Sequence, residues 1–262
     1  MSDRVRQRVF AVALVGLLGL MLWGLAGLPD FGDYGGPYGD ILNRVAVPER
    51  STTDVVTAVN FDYRGFDTLG EEFILFAAVV GVASILRTLR GERTRRPDDD
   101  AAGRHVLETA LPVRVAGLGL VAPTVLVGLY IVAHGHQTPG GGFQGGVILA
   151  TALLLTYLSA DYMTMRAVGP IALIELAEGA GAAGFAAIGL AGLVAGDAFF
   201  DNVLGKGTPG ELLSAGTIPL SNLAVGLAVT GGFVFMLSEF LQQALTRRLT
   251  RRRRRGGRRR SA

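Results

Sequence analysis

A chain of 262 residues, half of them hydrophobic, carries 38 glycines, no cysteine and a formal net charge of +3. The apolar residues form long blocks, which is typical of membrane proteins rather than of soluble domains of this length. Because cysteine is absent, disulfides, thiolate metal sites and cysteine nucleophiles are excluded. The charge is also segregated: residues 246–261 are mostly arginine, whereas residues 29–72 carry nine acids against three arginines.

Six segments are long and apolar enough to cross a hydrocarbon core of about 30 Å, which requires about 20 helical residues. The first could be read as a secretory signal. Its apolar stretch is longer than the usual ~7–15 residues and no clear cleavage site follows, so we expect a retained anchor. The sequence therefore predicts an all-α integral membrane protein with about six transmembrane helices. The predicted spans are Val9–Leu28, Leu69–Leu89, Val113–Ala133, about Phe143 to Asp161, Ile171–Ala195 and Pro219–Leu241.

The placement of basic residues predicts the orientation of these spans. Of the 25 lysines and arginines, all but Arg44, Arg50, Arg64 and Lys206 lie before span one, after span six, or in the two loops on the same side. This pattern predicts an N-in and C-in protein. The loops expected to face outward are Pro29–Thr68, His134–Gly142 and Gly196–Ile218.

A charged segment divides the chain into modules. Arg90–Arg104 contains Pro97 and is typical of a solvated linker. We expect a two-span module, a linker, a four-span module and an Arg-rich cytoplasmic tail, at residues 1–90, 91–112, 113–242 and 243–262. Beside a membrane span, such a tail is better explained by anionic lipid than by nucleic acid. No internal repeat relates the two modules, so inverted repeats within the chain are not expected.

Ionisable residues inside spans are candidates for function, because burying them without solvation or a partner costs several kcal/mol. Glu175 and Glu178 lie three residues apart on span five and so share a helix face. They could form a proton or cation relay, or they could be acids near the interface that the helix dipole and Arg166 stabilise. Both interpretations stay open for Glu175, whereas the greater depth of Glu178 favours the relay.

Span two opens with a second group of acids. Thr68 and Glu71 have the spacing of a capping box. Glu72 lies one residue deeper and could line an ion path or reach the outer interface. Asp67 belongs, with Asp62, to a charged group that could be a surface ion cluster worth little or a mouth that attracts cations.

The segment His134–Gly146 holds six glycines and a proline in thirteen residues, which cannot sustain an ordinary helix. It is either a tight turn outside the membrane or a broken element lining a polar pathway. The orientation favours a compact outer cap between spans three and four. His134 and His136 could share a metal or pass protons, but no third ligand is near, and either could simply anchor the loop at the interface.

Other patterns indicate packing or nothing specific. Gly192 and Gly196 fit the small-xxx-small motif of membrane helices, which predicts a close helix–helix contact. Gly205–Gly210 matches G-x-G-x-x-G, but no strand precedes it and Pro209 interrupts it. The three histidines have no recognisable triad partner. We expect no catalytic residue, no cofactor and no metal site.

Two stretches resemble known families. GHQTPGGGFQGG at residues 135–146 and the apolar Ile218–Leu227 resemble the B-type subunit (MnhB) of the Mrp-type (Mnh, multisubunit) sodium/proton antiporters, over about residues 114–241. Residues 53–71 resemble the E-type domain of the membrane-bound hydrogenases, which is similar to the C-terminal end of the large A-type Mrp subunit. The residues that match these motifs are Asp67, Thr68, Gly70, Glu71, Gly135, His136, Thr138, Pro139, Gly140, Gly141, Gly142, Phe143, Gly145 and Gly146.

The resemblance implies a multi-pass subunit of a sodium/proton antiporter in the prokaryotic plasma membrane, not an enzyme. Its partners would be the other antiporter subunits, and the complex would handle sodium ions and protons. Lys206 is the sole lysine and lies in a loop, so the central lysines of a proton-pumping subunit are missing and a complete antiporter is not expected. Two alternatives remain: a non-conducting scaffold, and a membrane subunit of a hydrogenase- or complex I-like redox complex.

Overall fold

The computed structural model describes residues 3–33, 35–86 and 110–259. These residues form helices and turns without a strand, as the all-α prediction requires. The predicted linker, residues 91–112, lies almost entirely outside them. The α-helices are α1 Asp3–Ala26, α2 Pro37–Arg50, α3 Val55–Ala58, α4 Gly65–Leu86, α5 Leu111–Ala133, α6 Gly142–Ser159, α7 Tyr162–Val168, α8 Ile171–Ala195 and α9 Ile218–Arg259, with a π-helical turn at Val59–Tyr63 between α3 and α4.

Six described helices are long and apolar enough to cross a membrane, which confirms the number of predicted spans. Span five is reproduced residue for residue. Span two begins four residues earlier than predicted, because Asp67 interrupts the apolar pattern where the backbone is already helical. The apolar stretches are Gln7–Ala26, Gly65–Leu86, Leu111–Ala133, Gly142–Ser159, Ile171–Ala195 and Ile218–Leu241.

The early start of α4 makes the predicted capping box wrong. Thr68 lies inside the first turn of α4 instead of at its N-cap. Its Oγ1 donates to the carbonyl of Asn60, at 2.7 Å, in the preceding π-helical turn. Glu71 therefore has no capping partner in Thr68, because the chain becomes helical three residues upstream.

The chain divides into two compact units, residues 1–41 and 42–262. In the first, none of the residues in the apolar span of α1 is buried. In the second, α9 is the central helix: α4, α5, α6 and α8 all pack against it, and more than half of its span is buried. The module boundaries drawn from the sequence stay a prediction. The backbone of α9 remains helical to Arg259, through most of the predicted tail.

Glycines allow α8 and α9 to approach each other closely. A Cβ on Gly181 of α8 would collide with the backbone of Ala228 and Ala224 in α9. A Cβ on Gly231 of α9 would lie 2.5 Å from the backbone nitrogen of Glu178 in α8. The two helix axes can come together here only because these side chains are absent.

Gly192 and Gly196, by contrast, do not mediate the predicted helix–helix contact. A Cβ on Gly192 would meet the backbone of Asp201, and one on Gly196 would meet the carboxylate of the same residue. That prediction is wrong because the chain folds back after α8, so that these glycines pack against the following loop.

Two predicted loops contain short helices. The predicted loop Pro29–Thr68 includes α2, α3 and the π-helical turn. The residues after α6 form α7, for which Asp161 is the N-cap: its Oδ1 accepts from the backbone N–H of Thr164 at 2.6 Å. This hydrogen bond holds the pKa of Asp161 below its usual range. Span four therefore ends at Ser159 and not at Asp161.

Candidate functional site

Three chain segments, residues 51–64, 134–141 and 196–217, meet at one end of the second unit, which we call the loop end. The glycine-rich segment is held there by threonines of the first segment. Thr57 Oγ1 donates to the carbonyl of Gly135 and Thr53 Oγ1 to that of Gln137, both at 2.6 Å. The carbonyl of His136 accepts from Thr52 Oγ1 and from two backbone amides. Residues 134–141 thus form a compact cap between α5 and α6, as expected.

The glycines of this cap serve backbone conformation and close packing. Gly140 and Gly141 have φ values of +144° and +114°, which residues other than glycine rarely adopt. A Cβ on Gly135 would lie 2.5 Å from the Cα of Gly141. Asn222 of α9, which is fully buried, accepts from the backbone N–H of Gly142 at 2.8 Å and so ties the start of α6 to α9.

The remaining motif residues also have structural surroundings. Gly145 and Gly146 bring α6 against Val132 of α5 and Val229 of α9. Thr138 Oγ1 donates within the turn to the carbonyl of His134, Pro139 is exposed, and Phe143 packs against the core. The contacts of Gly145 and Gly146 thus let α6 pack closely against α5 and α9.

The two histidines have different environments. His136 is fully buried, its Nε2 lies 3.3 Å from the carbonyl of Glu211, and its Nδ1 has no hydrogen-bond partner among the described residues. Burial lowers the pKa of His136 below 6.5. His134 is only partly buried and stacks on Tyr130, with ring centroids 4.0 Å apart. In the part of the chain that the structure describes, no group of three or more His, Asp or Glu side chains could hold a metal ion.

A partly buried ion pair links the loops across the loop end. Arg50 Nε lies 2.7 Å from Asp62 Oδ1, and Asn202 Nδ2 donates to Asp62 Oδ2 at 2.9 Å. The Oδ1 of Asn202 accepts from the backbone N–H of Thr217 at 2.9 Å. Burial raises the pKa of Asp62, although the hydrogen bond from Asn202 and the charge of Arg50 oppose that effect. Asp67 instead pairs with Arg64 at an exposed position, where an ion pair contributes little.

Two carboxyl groups are buried within the membrane-length helices. Glu72 of α4 is 3% exposed and Glu178 of α8 is 7% exposed. In each, Oε1 is buried and has no hydrogen-bond partner within the described chain. The two acids lie on helices α4 and α8, which pack against each other. Glu71, the other acid at the start of α4, is exposed.

The two buried acids lie on helices that begin at opposite ends of the bundle. Each lies seven residues into its helix, roughly 10 Å from the helix start. α4 begins at the loop end, and α8 begins at the other end, after α7. A Cβ on Gly232 of α9 would lie 3.6 Å from Glu178 Oε1 and 3.7 Å from Leu75, which is one turn along α4 from Glu72. Helices α4, α8 and α9 therefore converge around the pair.

A further polar group lies at the end opposite the loop end. Glu239 of α9 is within electrostatic range of both Arg166 and Glu175. The Nη1 of Arg166 and the Oγ of Ser238 are buried without a partner in the described residues. Glu175 is exposed, so it does not share the burial of Glu178. Glu239 was not among the predicted site residues, although its position inside predicted span six makes it a candidate on the same grounds as Glu178.

A pocket of about 280 Å³ opens between α4 and α8 beside Glu72. Its walls are otherwise apolar, and Glu72 is the only charged residue among those that line it. The lining residues are Leu69, Glu72, Phe73, Phe76, Gly179, Ala182, Ala183 and Ala186.

Comparison with known proteins gives a family match over part of the chain. Residues 112–235 match a family described as a domain related to the MnhB subunit of Na+/H+ antiporter. An uncharacterized protein of Methanocaldococcus jannaschii is 31% identical over 218 residues, which cover 75% of this chain and 81% of that protein.

Two solved structures have similar chains. One belongs to the membrane-bound sulfane sulfur reductase, an archaeal respiratory membrane complex, with a TM-score of 0.68, 32% identity and coverage of 90% of this chain and 98% of that one. The other belongs to the Mrp complex from Dietzia sp., with a TM-score of 0.61, 28% identity and coverage of 91% of this chain and 26% of that one. Both likenesses extend well beyond residues 112–235.

Proposed function

The chain belongs to the family related to the MnhB subunit of Na+/H+ antiporters, and from this we propose that it works as a membrane subunit of a multisubunit monovalent cation/proton antiporter. It is a multi-pass protein of the prokaryotic plasma membrane. The likeness to a chain of the Mrp complex supports other subunits as its partners. Sodium as the cation, the N-in and C-in orientation, and anionic lipid at the Arg-rich tail are parts of the proposal.

The observation that carries an active role is the pair of buried carboxyls, Glu72 and Glu178. An ionised acid in a membrane interior costs on the order of 3 kcal/mol or more unless water, a cation or a hydrogen bond compensates it. Each has an oxygen without a partner in the described structure, and α4, α8 and α9 converge around the two acids. A proton or a cation bound at either acid compensates its buried charge, and alternation between the two is the chemistry that an exchanger uses.

The path that we propose passes three sets of acids in turn, from the loop end to the opposite end of the bundle. It enters near the loop end at Glu72, passes to Glu178, and leaves at the opposite end by Glu175 and Glu239 beside Arg166. Transport of protons or cations along such a path breaks no covalent bond, so we assign no catalytic role to these residues.

The test is sodium-dependent proton flux in vesicles that contain the assembled complex. Glu178→Gln and Glu72→Gln keep the side-chain size but cannot ionise, and each should lower the flux at least tenfold. Glu71→Gln is the matched control: it lies on the same helix, is exposed, and should stay within twofold of the parent flux. If both buried-acid variants assemble normally and retain the parent flux across pH, the proposed path is wrong.

A non-conducting scaffold predicts a different pattern. In that role, the amide variants are silent, while changes at tightly packed glycines such as Gly231 abolish assembly on a native gel. The flux test therefore separates the two functions.

The likeness to a sulfane sulfur reductase chain favours one second candidate, a membrane subunit of a redox-linked complex. Co-purification with the tagged chain distinguishes the two. Partners that are antiporter subunits support the antiporter, whereas partners that bind iron–sulfur clusters support the redox complex.

A further inference from the structure

We propose that the pocket between α4 and α8 is the docking site for a transmembrane helix of a neighbouring subunit, which places a lysine or arginine side chain against Glu72. We call this pocket the α4–α8 groove. The inference rests on the proposed function only in requiring that the chain work in a multisubunit complex, and it states what completes the site at Glu72.

The walls of the groove have the dimensions of a helix-packing surface. On α4 it runs from Leu69 to Phe76 and on α8 from Gly179 to Ala186, so each wall is two helical turns, roughly 10 Å, long. The α8 wall consists of glycine and alanine, which lets another backbone approach closely. The volume, about 280 Å³, lies at or below the low end for small-molecule sites and suits a few inserted side chains.

Glu72 supplies the second and independent observation. Its side chain lines the groove, is only 3% exposed, and has an Oε1 without a hydrogen-bond partner among the described residues. A lipid chain filling the groove would leave the ionised carboxyl of Glu72 without a counter-charge, at considerable cost in hydrocarbon. A helix that brings a cationic side chain supplies that counter-charge, because opposite charges in a membrane interior stabilise each other when paired.

The surroundings of the groove also lack a cover among the described residues of the second unit. Phe66, Phe73 and Ile74 of α4 are exposed at 71%, 61% and 72%. Only 11% of the α4 span is buried, compared with 56% for the central helix α9. The apolar face beside Glu72 is thus wide enough to hold a whole helix, and the charge of Glu72 sets which residue that helix must bring.

The first experiment uses the absence of native cysteine. Ala183→Cys in the groove is labelled with a small photoreactive group in the assembled complex, and Leu193→Cys, on α8 outside the groove, is the control. We expect the label at position 183 to cross-link to a neighbouring protein chain, on a helix that contains a lysine or arginine. Cross-links to lipid alone, or to a bound small molecule, would overturn the proposal.

The second experiment tests the charge pairing by assembly on a native gel, so that its outcome does not depend on ion flux. Glu72→Lys should reduce assembly at least fivefold, and changing the basic residue on the cross-linked helix to glutamate should restore it. Glu71→Lys, the exposed neighbour, should assemble normally. Failure of the charge exchange to restore assembly, with the isolated Glu72→Lys chain folded by circular dichroism, contradicts docking. Loss of flux in Glu178→Gln, which lies outside the groove, would still support the ion path, because that variant leaves the docking surface unchanged.

Discussion

His136 is the residue whose burial has the clearest measurable consequence. Its ring is fully buried at the loop end, and burial lowers its pKa below the ordinary value of 6.5. The groups that face it are the carbonyls of Glu211 and Leu212 and the ring of His134. Below pH 6.5 the unfolded chain binds a proton that the folded chain resists, so stability is complete above pH 6.5 and falls as the pH drops.

We therefore expect the melting temperature of the detergent-solubilised protein to fall between pH 6.5 and about pH 5, and to fall less in His136→Gln. The glutamine amide can still donate to the carbonyl of Glu211 but has no charge to gain. His134→Gln serves as the control and should keep most of the parent slope, since burial, the main cause of the low pKa of His136, is unchanged. Equal slopes in His136→Gln and the parent protein would show that His136 does not cause the effect.

At the same scale, the sequence identifies candidate acids but not which of them are buried. Glu71 and Glu72 are adjacent and chemically identical, yet one is exposed and the other is buried against α8. The side chains of α4 are apolar on every face of the helix, so helical periodicity does not indicate which face packs against protein. Glu239 could have been predicted from the sequence, because any acid inside a membrane span is a candidate for function.

At the scale of elements, two glycines on one helix provide a matched test of the α8–α9 contact. Gly181→Ala would force a Cβ into the backbone of α9, whereas a Cβ on Gly184 would lie 3.7 Å from that of Ala224, an ordinary contact. We expect Gly181→Ala to destabilise the protein by about 1–3 kcal/mol, as overpacking does. Gly184→Ala should be neutral or slightly stabilising, because alanine favours the helix. Thermal unfolding in detergent measures both, and equal melting temperatures would contradict this packing.

The elements that the sequence predicts well are those set by composition alone. The apolar blocks are long, so six spans could be placed, and span five agrees at both ends. The short helices α2, α3 and α7 carry no such signal. The true start of α4 depends on a π-helical turn and on the bond from Thr68 to Asn60, which residue spacing does not reveal. The packing of Gly192 likewise depends on where the following loop turns.

At the scale of the whole second unit, the loop end is joined by hydrogen bonds between residues far apart in sequence. Thr57 binds Gly135, 78 residues away, and Asp62 binds Asn202, 140 residues away. A single sequence contains no information on such pairs beyond the presence of polar residues in loops. The resemblance of residues 135–146 to an antiporter protein identified the family, but the contacts that hold this cap are visible only in the structure.

Asn202 links the segment 196–217, in which it lies, to the segment 51–64. It donates to Asp62 and to the carbonyl of Ala215, and it accepts from the backbone N–H of Thr217. Asn202→Ala leaves a partly buried carboxylate and two backbone groups with one partner fewer, so we expect a loss of about 1–3 kcal/mol. The loss should be local, because α8 and α9 remain packed.

Hydrogen exchange and limited proteolysis should therefore show faster opening of residues 196–217 while the spans stay protected. Glu211→Ala, an exposed side chain in the same loop whose carbonyl is retained, should open at the parent rate. Equal protection of the loop in Asn202→Ala and the parent would mean that the Asp62–Arg50 pair and the threonine hydrogen bonds suffice to hold the loop end without Asn202.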